Sequence, residues 1–213
     1  MVAEMAHVFL ANAKDIPAPA DEEKRADYLT ILVTRARAGD ALAFERIMLA
    51  TEQRVVSIAW RMLGNRDEAQ DAAQEVYLRV FKYLTCFRVG EDFRGWLYRI
   101  TINVCHDLAR RKRSMTTTRL SEIDFAKEHP AVENPGTDPE IRTLRQQQLA
   151  LVKRALQVLS AKERAALVLR DLEGLSTEEV ARALGSQPVT VRSQVSSART
   201  KIKTYCEKLS RRG

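Results

Sequence analysis

Apolar residues recur at intervals of three and four along most of this chain, and alternating β-branched runs are nearly absent, so the pattern predicts an all-α protein. Gly39 interrupts the chain and Asp40 can cap a first helix carrying Ala43, Phe44, Ile47 and Met48. A second runs through Val55, Val56, Ile58, Ala59, Trp60 and Leu63 and stops at Gly64. Asn65 with Glu68 reads as a capping box opening a third. That helix places Ala69, Ala72, Ala73, Val76, Tyr77, Val80, Phe81 and Leu84 on one wide core face. After a turn at residues 89–92, a fourth begins near Phe93. It buries Phe93, Trp96, Leu97, Ile100, Val104 and Leu108 and finishes in Arg110-Arg111-Lys112-Arg113.

The periodicity stops between residues 114 and 143, a stretch holding Pro130, Pro135, Gly136 and Pro139 with six acids against three bases. It reads as an acidic, flexible linker. Residues 1–33, with Pro17, Pro19 and the charged run from Asp21 to Arg25, read as a loose N-terminal extension. The first domain is therefore expected over 34–113 and a second over 144–213, both small and helical. In the second, Leu149, Val152, Leu156 and Leu159 share a face. Ser160 with Glu163 and Ser176 with Glu179 form two capping boxes. Gly185 ends a short helix and Pro188 starts the last one, through Val191, Val195, Ala198 and Ile202.

Two short helices separated by Gly185-Ser186-Gln187 match a helix-turn-helix, with a plain helical hairpin as the alternative. The last helix would expose Thr190, Arg192, Ser193, Gln194, Ser196, Ser197 and Arg199, short polar groups for base edges and cations for phosphates. Charge favours the first reading. The 213-residue chain carries a net charge of +7, and from Ser186 onward seven Lys or Arg face one acid, Glu207. On the third helix Asp71, Gln74, Glu75, Leu78 and Lys82 lie off the apolar face. They fit either a protein partner or plain solvent. On the fourth, Arg94, Tyr98, Arg99, Asn103, His106, Asp107, Arg110 and Arg111 mix phosphate-binding cations with flat polar groups able to meet a base.

Composition removes several classes. Cys86, Cys105 and Cys206 form no CxxC pair, and the three histidines sit in unrelated settings, so no metal, cofactor or catalytic group is expected. Apolar residues make up 45% of the chain but no run reaches the ~18 to 20 residues of a spanning helix, so a cytoplasmic protein is expected rather than a membrane protein.

Together these stretches resemble the extracytoplasmic-function (ECF) subfamily of the bacterial sigma-70 family, over about residues 38–113 and 145–205. The first domain carries AGDALAFERI, GNRDEAQDAAQEVYLRVF and FRGWLYRITINVCHDLARRKR. The second carries LSAKERAALVLRDLEGLSTEEVARALGSQPVTVRSQVSSARTKI. The resemblance implies an RNA polymerase sigma factor, without enzymatic activity, that directs core polymerase to promoters and melts them. Its parts would be a sigma2-like bundle and a sigma4-like helix-turn-helix. The family's DxxQE motif falls on Asp71, Gln74 and Glu75, implying that these residues and Leu78 dock on the beta-prime clamp helices of core RNA polymerase, which also presents its beta subunit. Minus-ten capture is implied for the loop from Cys86 to Phe93 and for Arg94, Tyr98, Arg99, Asn103, Asp107, Arg110 and Arg111. Minus-thirty-five reading is implied for Thr190, Arg192, Ser193, Gln194, Ser197 and Arg199, and the linker would thread toward the polymerase active-site channel. An anti-sigma factor, often membrane-bound in the family, would cover these faces.

The chain departs from the family where Gln187 replaces the usual capping serine and Ser186 an apolar residue, and where Gln194 and Ser197 replace frequent arginines. These changes predict an atypical minus-thirty-five element and a shallow salt dependence for the isolated second domain. A dimeric helix-turn-helix operator-binding regulator is the alternative; it leaves the basic end of the fourth helix and the acidic linker unexplained.

Overall fold

The computed structural model describes residues 19–118 and 139–211, with side chains over 28–114 and 147–211. Among them every regular element is helical: α1 (Pro19–Arg37), α2 (Ala41–Leu63), α3 (Arg66–Tyr83), α4 (Phe93–Thr118), α5 (Pro139–Gln157), α6 (Ala161–Leu167), α7 (Thr177–Leu184) and α8 (Pro188–Ser210). None of these helices is long and apolar enough to cross a membrane.

Residues 1–18 of the N-terminal segment lie outside the described residues; from Pro19 on it is not a loose extension. α1 runs from Pro19, and its Leu32 and Val33, each 1% exposed, are inserted in the core against α2. Acidic and proline-rich composition near its start hid an apolar pair that has a stable partner only in three dimensions. Gly39, at φ +96, turns the chain, and the Asp40 carboxylate accepts the Ala43 N–H at 3.0 Å to begin α2.

The two helices read over residues 40–63 are one. Nothing between Met48 and Val55 breaks the helix: Thr51 is buried, and its hydroxyl donates to the Ile47 carbonyl while meeting the Tyr77 hydroxyl at 2.9 Å. α2 ends on Gly64 in the left-handed region. Asn65 caps α3 through the Glu68 N–H, but Glu68 does not complete the box; its carboxylate pairs with Lys112 at the far end of α4.

Buried residues of α1 to α4 form the first core, and α5 to α8 continue it without a gap. Two residues read as core are not. Phe81 is 67% exposed, with an edge contact to Phe44 at 5.2 Å, and Leu149 is 43% exposed. Helical period alone places both at the border of an apolar face, where the neighbouring helix fails to reach.

Residues 114–118 continue α4 and 139–143 open α5, so the linker expectation applies to 119–138, which lies outside the described residues. Both capping boxes of the second domain are complete, at Ser160 with Glu163 and at Ser176 with Glu179. α6 then widens into one π turn over Val168–Leu172, with the Glu173 N–H reaching back to the Val168 carbonyl. This extra residue per turn aims Asp171 and Glu173 in directions a regular helix would not, and the apolar pattern gives no sign of it.

Candidate nucleic-acid interface

α7 and α8 meet at the αL residue Gly185 (φ 59), and Pro188 occupies the first turn of α8. Buried Val180, Ala181, Ala183, Val191, Val195 and Ala198 pack the pair together. The geometry is the predicted helix-turn-helix. Gln187 has the extended backbone of a cap but supplies no side-chain hydrogen bond.

Of the residues expected to face DNA, Thr190, Arg192 and Ser193 are exposed on the first turns of α8 and Gln194 is half-buried. Ser197, half-buried, and Arg199, whose side chain stays 63% exposed, are both bonded to acids of the same domain. The Ser197 hydroxyl donates to Glu163 at 2.6 Å, and Arg199 makes a two-pronged bond to Asp171 at 2.8 and 2.7 Å. Glu163 also accepts Lys201 at 2.8 Å and the Ser160 N–H at 2.9 Å. Lys201, Ser197 and Ser160 together hold its carboxyl down to about 2. Glu163 thus fixes α8 against the start of α6. Val189, 66% exposed beside Thr190, was not singled out; an apolar residue at the tip of a recognition helix is the signal that could have found it.

In the first domain the exposed stripe of α3 consists of Asp71, Gln74, Leu78 (66%) and Phe81 (67%), spaced at three and four residues. Lys82 is exposed beside it. Glu75 is half-buried and accepts from Arg79 Nε at 2.8 Å, while Arg79 Nη1 reaches Asp107 on α4 at 3.1 Å.

On α4 the residues expected to meet the minus-ten strand divide between two faces. Arg99, Asn103, Arg110 and Arg111 are exposed, and Asp107, half-buried among them, accepts from Arg110 at 3.2 Å. The loop preceding the helix is pinned by Phe87, Phe93 and Trp96, with ring centroids 5.1 to 5.7 Å apart. Asp92 closes the first turn by accepting the Arg94 N–H at 3.0 Å.

Tyr98 is not on the exposed face: it is 1% exposed and lies within charge reach of Glu173, Arg54 and Arg94. Burial raises its phenol to about 12. Arg94, half-buried four residues earlier, lies within charge reach of Glu173 and Glu179 of the second domain. His106, expected on the exposed side, is half-buried next to Ala161, and burial lowers its pKa.

Across the same interface Arg61 Nη1 donates to Glu173 at 2.7 Å and Arg164 Nη1 to the Met62 carbonyl at 2.6 Å. Burial pushes the Glu173 carboxyl up and the Arg61 guanidinium down, each against the pull of the other's charge. Among the described residues no group of three or more His, Cys, Asp and Glu is placed to hold a metal ion.

A helical bundle with an exposed mixed stripe, a basic helix beside it and a helix-turn-helix defines a two-part DNA-binding transcription protein. Residues 47–115 match the family model for Sigma-70 region 2 and residues 149–202 that for Sigma-70, region 4. The chain is 34% identical to the RNA polymerase sigma-H factor of Pseudomonas aeruginosa, over 84% of this chain and 94% of that one. It is 32% identical to the ECF RNA polymerase sigma factor SigE of Mycolicibacterium smegmatis (97% and 77%), and 31% identical to the ECF RNA polymerase sigma-E factor of Escherichia coli K12 (85% and 96%). The chain belongs to the extracytoplasmic-function subfamily of the sigma-70 family and is an RNA polymerase sigma factor.

Two solved structures share the fold. CnrH in complex with the cytosolic domain of CnrY has a TM-score of 0.66 at 22% identity, covering 85% of this chain and 99% of that one. The sigma factor RpoE in complex with the anti-sigma factor NepR from Bartonella quintana has a TM-score of 0.59 at 23% identity, covering 77% and 96%.

Proposed function

We propose that this sigma factor docks on the beta-prime clamp helices of core RNA polymerase through the α3 stripe Asp71, Gln74, Leu78 and Phe81, with Glu75 at its edge. The observation that carries this reading is the exposure of Leu78 and Phe81, two large apolar side chains one turn apart on a well-buried helix. Two-thirds of each side chain faces water in the free protein. A protein partner would remove that apolar surface, and the flanking Asp71 and Gln74 would fix its register.

In the same reading Arg99, Asn103, Arg110 and Arg111 receive the minus-ten strand, with cations on phosphate and Asn103 at a base edge. Thr190, Arg192 and Ser193 read the minus-thirty-five element in the major groove, where Val189 meets a thymine methyl. With Arg199 paired to Asp171 and Lys201 to Glu163, fewer cations of α8 are free to meet phosphate, which supports a shallow salt dependence for the isolated second domain. The protein acts in the bacterial cytosol without catalysing a reaction. An anti-sigma factor covering the α3 stripe and α8 would hold it inactive.

Run-off transcription with purified core polymerase on a library of promoter fragments tests this. Defined transcripts that require the added protein, and that disappear with Leu78→Asp or Phe81→Asp, support the reading. DNA binding that needs no polymerase would favour a dimeric operator-binding regulator instead.

A further inference from the structure

Four charged side chains form one chain across the α3–α4 groove. Arg79 Nε donates to Glu75 Oε1 at 2.8 Å and Arg79 Nη1 to Asp107 Oδ2 at 3.1 Å. Arg110 Nη2 donates to Asp107 Oδ1 at 3.2 Å. Each oxygen of Asp107 thus accepts one guanidinium N–H, which orients the carboxylate between the two arginines. What it does is hold Arg110, whose side chain is 81% exposed, at one point on the surface. Arg79 in turn holds Asp107, and its other prong holds Glu75 at the edge of the docking stripe.

We propose that Arg79 is a positioning residue that couples the polymerase-docking stripe to the strand-capturing face, a role resting on the reading given above. Arg79, Asp107 and Glu75 have side chains 27%, 32% and 38% exposed, so water screens the ion pairs and their contribution to stability is small. Their geometry is specific nonetheless. A guanidinium serves two carboxylates on two helices from one rigid plane, which an ammonium on a flexible stem does not reproduce. A partner that engages Glu75 alters one prong of Arg79. The other prong carries that change to Asp107 and so to the exposed Arg110.

The experiment uses the full chain with core polymerase and a promoter fragment carrying 2-aminopurine in the minus-ten element. Fluorescence titration reads core binding, and the 2-aminopurine signal reads strand opening. Arg79→Ala should slow opening on the order of tenfold while core affinity changes by less than about threefold, and Arg79→Lys should fall between. The decisive readout is a double-mutant cycle of Glu75→Gln and Asp107→Asn. With Arg79 present their effects on opening should depart from the product of the single effects by about threefold or more; in the Arg79→Ala background they should multiply. Simple multiplication with Arg79 present overturns the proposal, as does an equal loss of core binding and opening in Arg79→Ala. The cycle needs only isosteric changes, so it remains informative where Arg79→Ala misfolds. If the unaltered protein supports no polymerase-dependent opening, the underlying reading fails and the coupling falls with it.

Discussion

Arg61 of the first domain donates to Glu173 of the second at 2.7 Å, across 112 residues of chain, with only 12% and 5% of the two side chains exposed. Arg54 stands 3.9 Å from the other Glu173 oxygen. A pair this buried gains little net stability, because desolvating two charges offsets most of their attraction, but removing one partner strands the other at a cost of about 3–5 kcal/mol. Glu173→Ala should therefore loosen the contact between the domains. Spin-label distances between α4 and α7 should lengthen and broaden; an unchanged distribution would show that apolar packing alone holds the interface. Tyr98, 1% exposed and within charge reach of Glu173, should become more accessible on the same separation.

Glu163 carries a pH dependence whose sign is fixed by its partners. Its folded carboxyl is held at about 2, below the ordinary 4.5, chiefly by the bond from Lys201. The stabilisation is fully present above about pH 4.5 and is lost as pH falls toward 2. Thermal melts across that window should show second-domain stability falling, and Glu163→Gln should flatten the slope. A variant with the same slope as the parent would assign the acid sensitivity to other carboxylates.

Gln187 leaves the α8 N-terminus without a side-chain cap although its backbone (φ −87, ψ 147) suits one. Gln187→Ser should stabilise the protein by ~0.5–1 kcal/mol, measured as a higher urea midpoint at unchanged slope. No gain would mean that Pro188 already satisfies this end.

The cysteines differ in reactivity for a physical reason. Cys105 is 1% exposed and burial pushes its thiol up to about 12, while Cys86 is exposed at the start of the loop that precedes α4. Iodoacetamide on the native protein should add one group quickly, at Cys86, and reach Cys105 only on unfolding. Rapid labelling of Cys105 would reveal local opening of α4.

Helical period, glycine stops and capping boxes are short-range signals, and they were legible from the sequence alone. Gly64, Gly185, Ser160 and Ser176 stand where they were expected to, and the helix-turn-helix follows from them. Leu78, Arg99, Asn103 and Arg192 are exposed because an amphipathic helix shows its polar face whatever it packs against. The third dimension decided which face meets which. Leu32 and Val33 became core because α2 passes beside them, and Phe81 stayed outside because no helix among the described residues covers it. Tyr98 went into the core beside Glu173, and Ser197 and Arg199 are paired because α6 and its π turn bring Glu163 and Asp171 within bonding distance. Such outcomes depend on residues about 30 to 110 positions apart, a separation at which a single sequence carries periodicity but no register.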